Sequence, residues 1–377
     1  MILHPTMDGT SLNLYRSLME KAPKKKTSTR KKTQRNNGWL ARHSLGVMIG
    51  VLTFIAIILS IFAFAFIPFS GGREGGEWIY VPRESTVVQV KDSLKTHLGS
   101  SMGTRVYMMW RLMGGSPTRA EGAYRVDHGQ TALATARRMA TGRQTPVTVT
   151  FNGTRTFSQL ADRIASQLEC EPDEFMEACM DVLPARGFSK ATFPAAFIPD
   201  TYEFYWSASP DNVVRRLLDY RDRFWTDERV NKAKSLGLSK VEVATLASII
   251  EEETAKADER PKVARLYLNR LSRGMKLQAD PTVKFAVGDF ALRRIRGNHL
   301  AVNSPYNTYK VEGLPPGPIR VPTAAAMDAV LNAPTHPYIY MCAREDFSGY
   351  HNFASDYASH MANARRYQAE LNRRNIH

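Results

Sequence analysis

The stretch LSKVEVATLASIIEEETAKADERPKVARLYLN, residues 238–269, decides the fold predicted for the distal half of the chain. Ser239 and Glu242 have the spacing of a capping box, which predicts that a helix begins there. The next apolar residues recur at helical spacing and predict a buried stripe, formed by Val243, Leu246, Ile249 and Ile250. A second helix is predicted over residues 260–273, with Gly274 as the residue that ends it.

Three consecutive glutamates follow the apolar stripe, and at about 100° per residue they cannot share one helix face. Glu253 continues the stripe, whereas Glu251 and Glu252 are predicted to lie nearer to water. A carboxyl group placed among hydrocarbon has a raised pKa and stays partly protonated near neutrality, as a general acid requires. The pattern therefore favours Glu253 as a catalytic acid. The alternative is a helix end that carries three solvated carboxylates.

A long uncharged segment separates a basic N-terminal tail from the rest of the 377 residues. From Ser44 to Gly72 there is no charged residue, and a run of this length can cross a hydrocarbon core of about 30 Å as a helix. We predict a transmembrane helix over residues 44–70, because a cleaved signal peptide would have a shorter apolar run nearer to Met1. Residues 1–43 hold ten Lys or Arg against two acidic residues. The positive-inside bias therefore predicts a single-pass protein of the inner (plasma) membrane, with a disordered cytoplasmic tail and residues 70–377 outside.

The charge and the cysteines exclude some classes of function. The net charge is +15, and the tail accounts for +8 of it. A basic tail can bind nucleic acid, but its position beside the span explains it better, so no nucleic acid partner is predicted. The three cysteines indicate neither a disulfide framework nor a zinc site, although they leave a Cys170–Cys179 bridge open. His336 and His351 have no partners at ligand spacing, so we predict no metal and no cofactor.

Residues 78–185 repeat one theme three times: a short strand, a turn and an amphipathic helix. Thr86, Thr131 and Thr156 each precede a predicted helix and suit the N-cap position. Small modules of this kind either bind ligands or act as spacers, and the pattern leaves both roles open. From about residue 190 the composition changes, which predicts a separate domain over residues 190–377. The predicted fold class is α+β: one N-terminal transmembrane helix, the repeat module and a mixed α+β domain.

Several segments resemble the endolytic murein transglycosylase family, also called YceG-like, whose members carry a single N-terminal span. These segments are FIPDTYEF at 197–204, LASIIEEET at 246–254, ER at 259–260, LNRLSRGMKLQADPTV at 268–283, SPYNTYKVEGLPPGPI at 304–319 and HNFASDYASH at 351–360. Any one of them alone would be weak, and their occurrence in order makes the resemblance specific. It covers the distal half and, more loosely, the span and the repeats.

The resemblance implies that Glu253 is the catalytic glutamate, because Glu253 is the last acid of the family's SI-[IV]-E-x-E block. It also implies a LysM-like glycan-binding module over 78–185, a catalytic domain over 190–377, and peptidoglycan synthases (penicillin-binding proteins) as partners. Two positions depart from the family pattern. Glu252 stands where a basic residue is common, which predicts a further rise in the pKa of Glu253. His360 is followed by Met361 in place of the usual Asn, so any role of that Asn is unassigned.

The resemblance implies that the chain breaks the glycosidic bond by a lyase mechanism. Glu253 would protonate the leaving oxygen of the bond between MurNAc and GlcNAc, and its carboxylate would then accept the C6 hydroxyl proton as a 1,6-anhydro-MurNAc end forms. Endolytic cleavage of nascent peptidoglycan in this way would end glycan elongation. We predict that five side chains contact the substrate, although each could instead be a core or turn residue: Gln278, Asn307, Thr308, Tyr309 and Tyr202.

Two other interpretations stay open at this point. A second carboxylate, Asp280 or Asp200, would give a hydrolase, although a residue before Pro281 is more typical of one that braces a turn. A membrane-anchored scaffold without catalytic activity would instead bind peptidoglycan for the synthases and leave the glycan intact.

Overall fold

The first helix within the described residues, α1 (Gly38–Phe66), contains the predicted span. The computed structural model describes residues 38–71, 75–292 and 295–374, so most of the predicted cytoplasmic tail lies outside the described residues. Within α1, Ser44–Phe66 is long and apolar enough to cross a membrane, judged by length and composition alone. Its large apolar side chains, such as Leu45 and Phe54, are more than half exposed, which is typical of residues that face lipid.

The three predicted strand–turn–helix copies all form. They consist of β1 (Glu77–Val81) with α2 (Val87–Leu112), β2 (Gly122–Val126) with α4 (Ala132–Ala140), and β3 (Val147–Phe151) with α5 (Phe157–Ala165), and the short α3 (Pro117–Ala120) precedes β2. The predicted caps are confirmed, because the hydroxyls of Thr86, Thr131 and Thr156 each accept a hydrogen bond from the backbone N–H three residues later. The long α2 is interrupted at Gly99, whose φ of 76° suits glycine.

The distal half is mainly helical. Its helices are α6 (Pro172–Val182), α7 (Pro210–Phe224), α8 (Asp227–Ser235), α9 (Lys240–Glu253), α10 (Arg260–Ser272), α11 (Asp280–Val287), α12 (Gly297–Leu300), α13 (Ala324–Leu331) and α14 (Tyr357–Arg373), with two 3-10 helices at Pro184–Arg186 and Lys190–Ala196. Its strands are β4 (Asp200–Phe204), β5 (Tyr340–Ala343) and β6 (His351–Ala354). The capping box that begins α9 at Ser239 and Glu242 is confirmed, and Gly274 follows the end of α10 with a φ of 63°.

The described strands form three antiparallel pairs, β1 with β2, β3 with β4, and β5 with β6. The middle pair joins distant parts of the sequence, because Val147 lies opposite Phe204 and Phe151 lies opposite Asp200. The third strand–turn–helix copy is therefore bound to the distal half by a backbone ladder.

Two buried hydrophobic clusters form the core of the unit that begins at Phe64. One lies mainly within the first two copies and ends at Ala140, whereas the other contains β3, α5 and the distal helices through Ala333. The boundary predicted at 185–190 thus falls inside a single hydrophobic core. The cause is the β3–β4 pairing, which the local sequence pattern does not reveal.

The helix α9 lies at the centre of the larger cluster. Every residue from Val243 to Ile250 is at most 2% exposed, so this part of α9 is buried on all sides. It does not present the single apolar stripe that the spacing of the apolar residues predicted. The hydroxyl of Ser248 accepts a hydrogen bond from the Ile319 N–H at 3.0 Å, which fixes the proline-rich loop against α9. The three cysteines are free, so the bridge left open by the sequence does not form.

Candidate active site

Glu253, the last residue of α9, is held by a tyrosine from α10. The hydroxyl of Tyr267 donates a hydrogen bond to Glu253 Oε1 at 2.7 Å. Tyr267 is 2% exposed, and burial and the neighbouring carboxylate raise the pKa of its hydroxyl well above the ordinary value. The tyrosine therefore stays protonated and acts as a fixed donor to the glutamate.

Burial raises the pKa of Glu253 to about 7. The hydrogen bond from Tyr267 lowers this pKa, as does the positive charge of His351 when its ring is protonated, and the charge of Asp280 raises it. Glu253 is therefore partly protonated near neutral pH, the state that a general acid needs. The raised pKa expected from the sequence is confirmed, although Asp280, and not the expected Glu252, is the carboxylate that adds to it.

The prediction that Glu251 and Glu252 lie near water is wrong. The side chain of Glu251 is 6% exposed, contacts Arg320, and accepts a hydrogen bond from the Thr323 hydroxyl at 2.8 Å. Glu252 is 17% exposed and accepts hydrogen bonds from Arg320 at 2.7 Å and from Arg155 at 3.2 Å. Segments distant in sequence supply these cations, and helical periodicity carries no information about them.

A cavity of about 220 Å³ opens beside Glu253, between α9, α10, the residues before α11 and the β5–β6 hairpin. Two of the predicted binding residues, Gln278 and Tyr309, line this cavity together with Glu253. The other polar or charged lining residues are Tyr267, Arg270, Asp280 and His351. Such convergent polar groups in a concave site suit a hydroxyl-rich ligand such as a sugar.

Gln278 occupies an unusual backbone conformation at the edge of the cavity. Its φ is 52°, in the left-handed region that residues with a Cβ rarely adopt. The Gln278 N–H donates to the Thr308 carbonyl at 3.1 Å, and the next N–H, of Ala279, donates to the Thr308 hydroxyl at 3.0 Å. Backbone strain of this kind persists only where the surroundings hold it, and it is frequent at functional sites.

Asn307 and Thr308 support the cavity from beneath and do not line it. Both are fully buried. The Asn307 amide donates to the carbonyls of Leu300 and Val302 at 3.0 and 2.8 Å, and its oxygen accepts the N–H of Tyr309 at 3.1 Å. The two residues thus fix the positions of Gln278 and Tyr309, and their predicted contact with substrate has no support in this geometry.

Two further contacts fix the walls of the cavity. The Tyr309 hydroxyl donates to Asp280 Oδ1 at 2.6 Å. Arg270, which is 8% exposed, donates from Nε to the Ile339 carbonyl at 2.7 Å and from Nη1 to the Leu277 carbonyl at 2.8 Å. These hydrogen bonds of Arg270 connect α10 to the start of the β5–β6 hairpin and to the segment before α11.

The family of the chain follows from its comparison with known proteins. A family model, described as the YceG-like family, matches residues 79–366, which is most of the chain and includes every residue of the cavity. The chain belongs to the YceG-like family. The resemblance inferred from the sequence segments is thus confirmed at the level of the family.

Three proteins illustrate what this YceG-like chain is similar to. It is 33% identical over 153 residues to the endolytic murein transglycosylase of Bacillus subtilis (strain 168), covering 39% of this chain and 41% of that protein. It is 30% identical over 149 residues to the endolytic murein transglycosylase of Streptococcus pneumoniae serotype 2 (strain D39), covering 38% of this chain and 27% of that protein. The chain thus spans less than half of the length of these relatives. A YceG-like protein of Listeria monocytogenes, solved at 2.6 Å, shares the fold with a TM-score of 0.50 at 23% identity, covering 76% of this chain and 98% of that one.

Tyr202 and Asp200, on β4 of this YceG-like chain, lie outside the cavity lining. Tyr202 is 6% exposed, stacks on Phe151 with ring centroids 5.5 Å apart, and donates from its hydroxyl to the Ile198 carbonyl. Asp200 accepts a hydrogen bond from the Tyr220 hydroxyl. Tyr202 is therefore a core residue, and of the two carboxylates considered as a partner for Glu253, only Asp280 lines the cavity.

The interpretation of the sequence missed Tyr267, Arg270 and His351 as residues of the site. Tyr267 lies 14 positions after Glu253 on the next helix, so only the packing of α9 against α10 brings the two together. Arg270 lies inside the quoted family segment, but its charge is typical of a solvated helix face. His351 begins the last family segment, which is the signal that could have identified it.

Proposed function

We propose that this chain is an endolytic lytic transglycosylase that cleaves the MurNAc–GlcNAc bond of nascent peptidoglycan and leaves a 1,6-anhydro-MurNAc end. The single observation that carries the proposal is Glu253: a carboxyl group with a pKa of about 7, at the wall of a polar cavity. The names of the curated relatives support the same activity. A scaffold without activity gives no reason to keep a protonated carboxyl group beside such a cavity.

The proposed chemistry needs only one carboxyl group. Glu253 gives its proton to the glycosidic oxygen while the C1–O bond breaks and positive charge develops at C1 of MurNAc. The C6 hydroxyl of the same sugar then attacks C1, and the Glu253 carboxylate is able to accept its proton. The hydrogen bond from Tyr267 stabilises the carboxylate form, and therefore helps Glu253 to release its proton in the first step.

A hydrolase that uses Asp280 as second carboxylate is the other activity that the cavity allows. Asp280 lines the cavity, but Tyr309 donates to Oδ1 at 2.6 Å and so occupies one of its acceptor positions. We therefore assign Asp280 to holding Tyr309 and to stabilising positive charge at C1. The two activities differ in the product, because only hydrolysis places an oxygen of water at the new end.

The location and partners belong to the same proposal. We propose that α1 anchors the protein in the plasma membrane with the tail in the cytoplasm, so that the cavity lies on the side where glycan strands are polymerised. The strand–turn–helix copies would bind glycan as a LysM-like module, and peptidoglycan synthases would be the protein partners. Cleavage close to the synthases would end the elongation of a strand.

Mass spectrometry of uncrosslinked glycan strands tests the proposed activity. Strands are digested with the full-length protein in detergent, in water enriched in oxygen-18, beside the variant Glu253→Gln. The control variant is Glu312→Gln, which removes an exposed carboxylate. We expect 1,6-anhydro ends without oxygen-18 from the wild type and from the control, and intact strands from Glu253→Gln. Labelled reducing ends would identify a hydrolase, and intact strands from the wild type would leave only the scaffold.

A further inference from the structure

A buried carboxylate holds the histidine that lines the cavity. Glu259, at the start of α10, has a side chain that is 5% exposed. One of its oxygens lies 2.8 Å from His351 Nδ1, and the other accepts the backbone N–H of His351 at 2.8 Å. The Thr254 hydroxyl, one residue after Glu253, also donates to Glu259, at 3.1 Å. The carboxylate therefore connects the end of α9 with the first residue of β6.

These contacts determine which ring nitrogen of His351 is free. Burial opposes the ionised form of Glu259, but the ring and backbone of His351 and the Thr254 hydroxyl outweigh it, so that the pKa of Glu259 lies below its ordinary value. An ionised carboxylate accepts hydrogen bonds only, so Nδ1 carries a hydrogen that it donates to Glu259. In the neutral ring, Nε2 is then the nitrogen with a free lone pair. Among the described residues, no hydrogen-bond partner is recorded for it, and the ring lines the cavity.

We propose that His351 is a second catalytic residue, whose Nε2 accepts the proton of the C6 hydroxyl as that oxygen bonds to C1 of MurNAc. The inference rests on the proposed transglycosylase function and separates the two proton transfers. Glu253 loses its proton to the leaving oxygen while the C1–O bond breaks. His351 gains the C6 proton while the new C6–O–C1 bond forms, and the imidazolium then returns this proton to the Glu253 carboxylate. No water and no second reactant is consumed.

In enzymes with a Ser-His-Asp triad, a carboxylate orients the catalytic histidine in the same way. The carboxylate fixes the tautomer of the ring and stabilises the imidazolium that forms. The titratable or charged groups around His351 come from each element packed on the cavity. They are Glu253 on α9, Glu259, Tyr267 and Arg270 on or beside α10, Asp280 and Lys284 on α11, Tyr309, and Cys342 on β5. Among the lining groups, His351 alone combines a free lone pair on nitrogen with a partner that can compensate its positive charge.

The variant His351→Asn tests the assignment, because the amide nitrogen of Asn can replace Nδ1 as donor to Glu259 while the Nε2 position is lost. A purely structural role would survive this change. We expect a melting temperature close to that of the wild type, an unchanged KM, and a kcat about 100-fold lower. His128→Gln, at an exposed position, is the matched control and should behave as the wild type.

The outcomes separate the inference from the function on which it rests. Anhydro products from the wild type, together with a kcat of His351→Asn within threefold of the wild type, would overturn the role of His351 alone. A wild type that forms no anhydro ends would overturn the proposed function and this role together. Should His351→Asn fold poorly, Glu259→Gln provides the second measurement, because a neutral amide compensates the imidazolium less well and should lower kcat at an unchanged KM. A kcat within threefold of the wild type would then overturn the role of His351.

Discussion

Replacing Glu253 with Gln should stabilise the folded protein at neutral pH while it abolishes cleavage. The pKa of Glu253 is about 7 in the folded chain, against an ordinary value of 4.5. Between these two values the folded chain binds more protons than the unfolded chain, so the free energy of unfolding falls as the pH rises. The two pKa values differ by about 2.5, and each pKa unit corresponds to about 1.4 kcal/mol, which gives a loss of about 3 kcal/mol. A glutamine of the same shape carries no such loss.

Urea unfolding of the two full-length proteins in detergent, followed by circular dichroism from pH 4 to pH 8, measures this difference. We expect the two to be similar in stability near pH 4, and the Gln variant to be about 3 kcal/mol more stable at pH 8. Glu252→Gln is the control one residue away. It should instead destabilise the protein by about 2 kcal/mol, because the negative charge between Arg155 and Arg320 is lost and the amide NH2 cannot accept the hydrogen bond from Arg155 Nη2. A difference between wild type and Glu253→Gln that does not change with pH would refute the buried, partly protonated carboxyl group.

Three further substitutions test other parts of the site. Tyr267→Phe removes the hydrogen bond that lowers the pKa of Glu253, so the alkaline side of the pH profile of kcat should move about one pH unit higher; an unmoved profile would contradict this role. Thr308→Val removes the buried hydroxyl to which the Ala279 N–H and the Thr282 hydroxyl are hydrogen-bonded and should cost about 2 kcal/mol in unfolding free energy; wild-type stability in a urea titration would contradict this. Gly317→Ala would place a methyl carbon 1.9 Å from the carbonyl oxygen of Ala191, so we expect a melting temperature several degrees lower by calorimetry, whereas an unchanged one would mean that the loop moves freely.

Local signals in the sequence predict much of this structure. The caps at Thr86, Thr131, Thr156 and Ser239 form as predicted, because a cap depends on a side chain and a backbone N–H three residues away. The position of Glu253 likewise follows from local spacing, since it continues the helical spacing of Leu246, Ile249 and Ile250. Patterns within one helix are sufficient for these features.

What the sequence does not predict depends on contacts between distant segments. Contacts with Arg155, Arg320 and Thr323 shield Glu251 and Glu252 from water. Tyr202 lies in the core, where it stacks on Phe151. Asn307 belongs to the family segment around the site, but its side chain is directed to backbone carbonyls. Membership of a segment that resembles the family thus locates the site without distinguishing a residue that lines the cavity from one that supports it.

The pairing of β3 with β4 has a consequence for how such a chain can be divided or recombined. A fragment that begins near residue 190 would leave β4 without its partner strand and would expose the half of the core that β3 and α5 cover. A viable junction for a fusion or an exchange between relatives lies instead in the connection between α4 and β3, near residues 141–146. One hydrophobic cluster ends at Ala140 and, apart from Ala123, the buried residues of the other begin at Val147. The third copy therefore has to stay with the distal half, and only the first two copies can be exchanged as a unit.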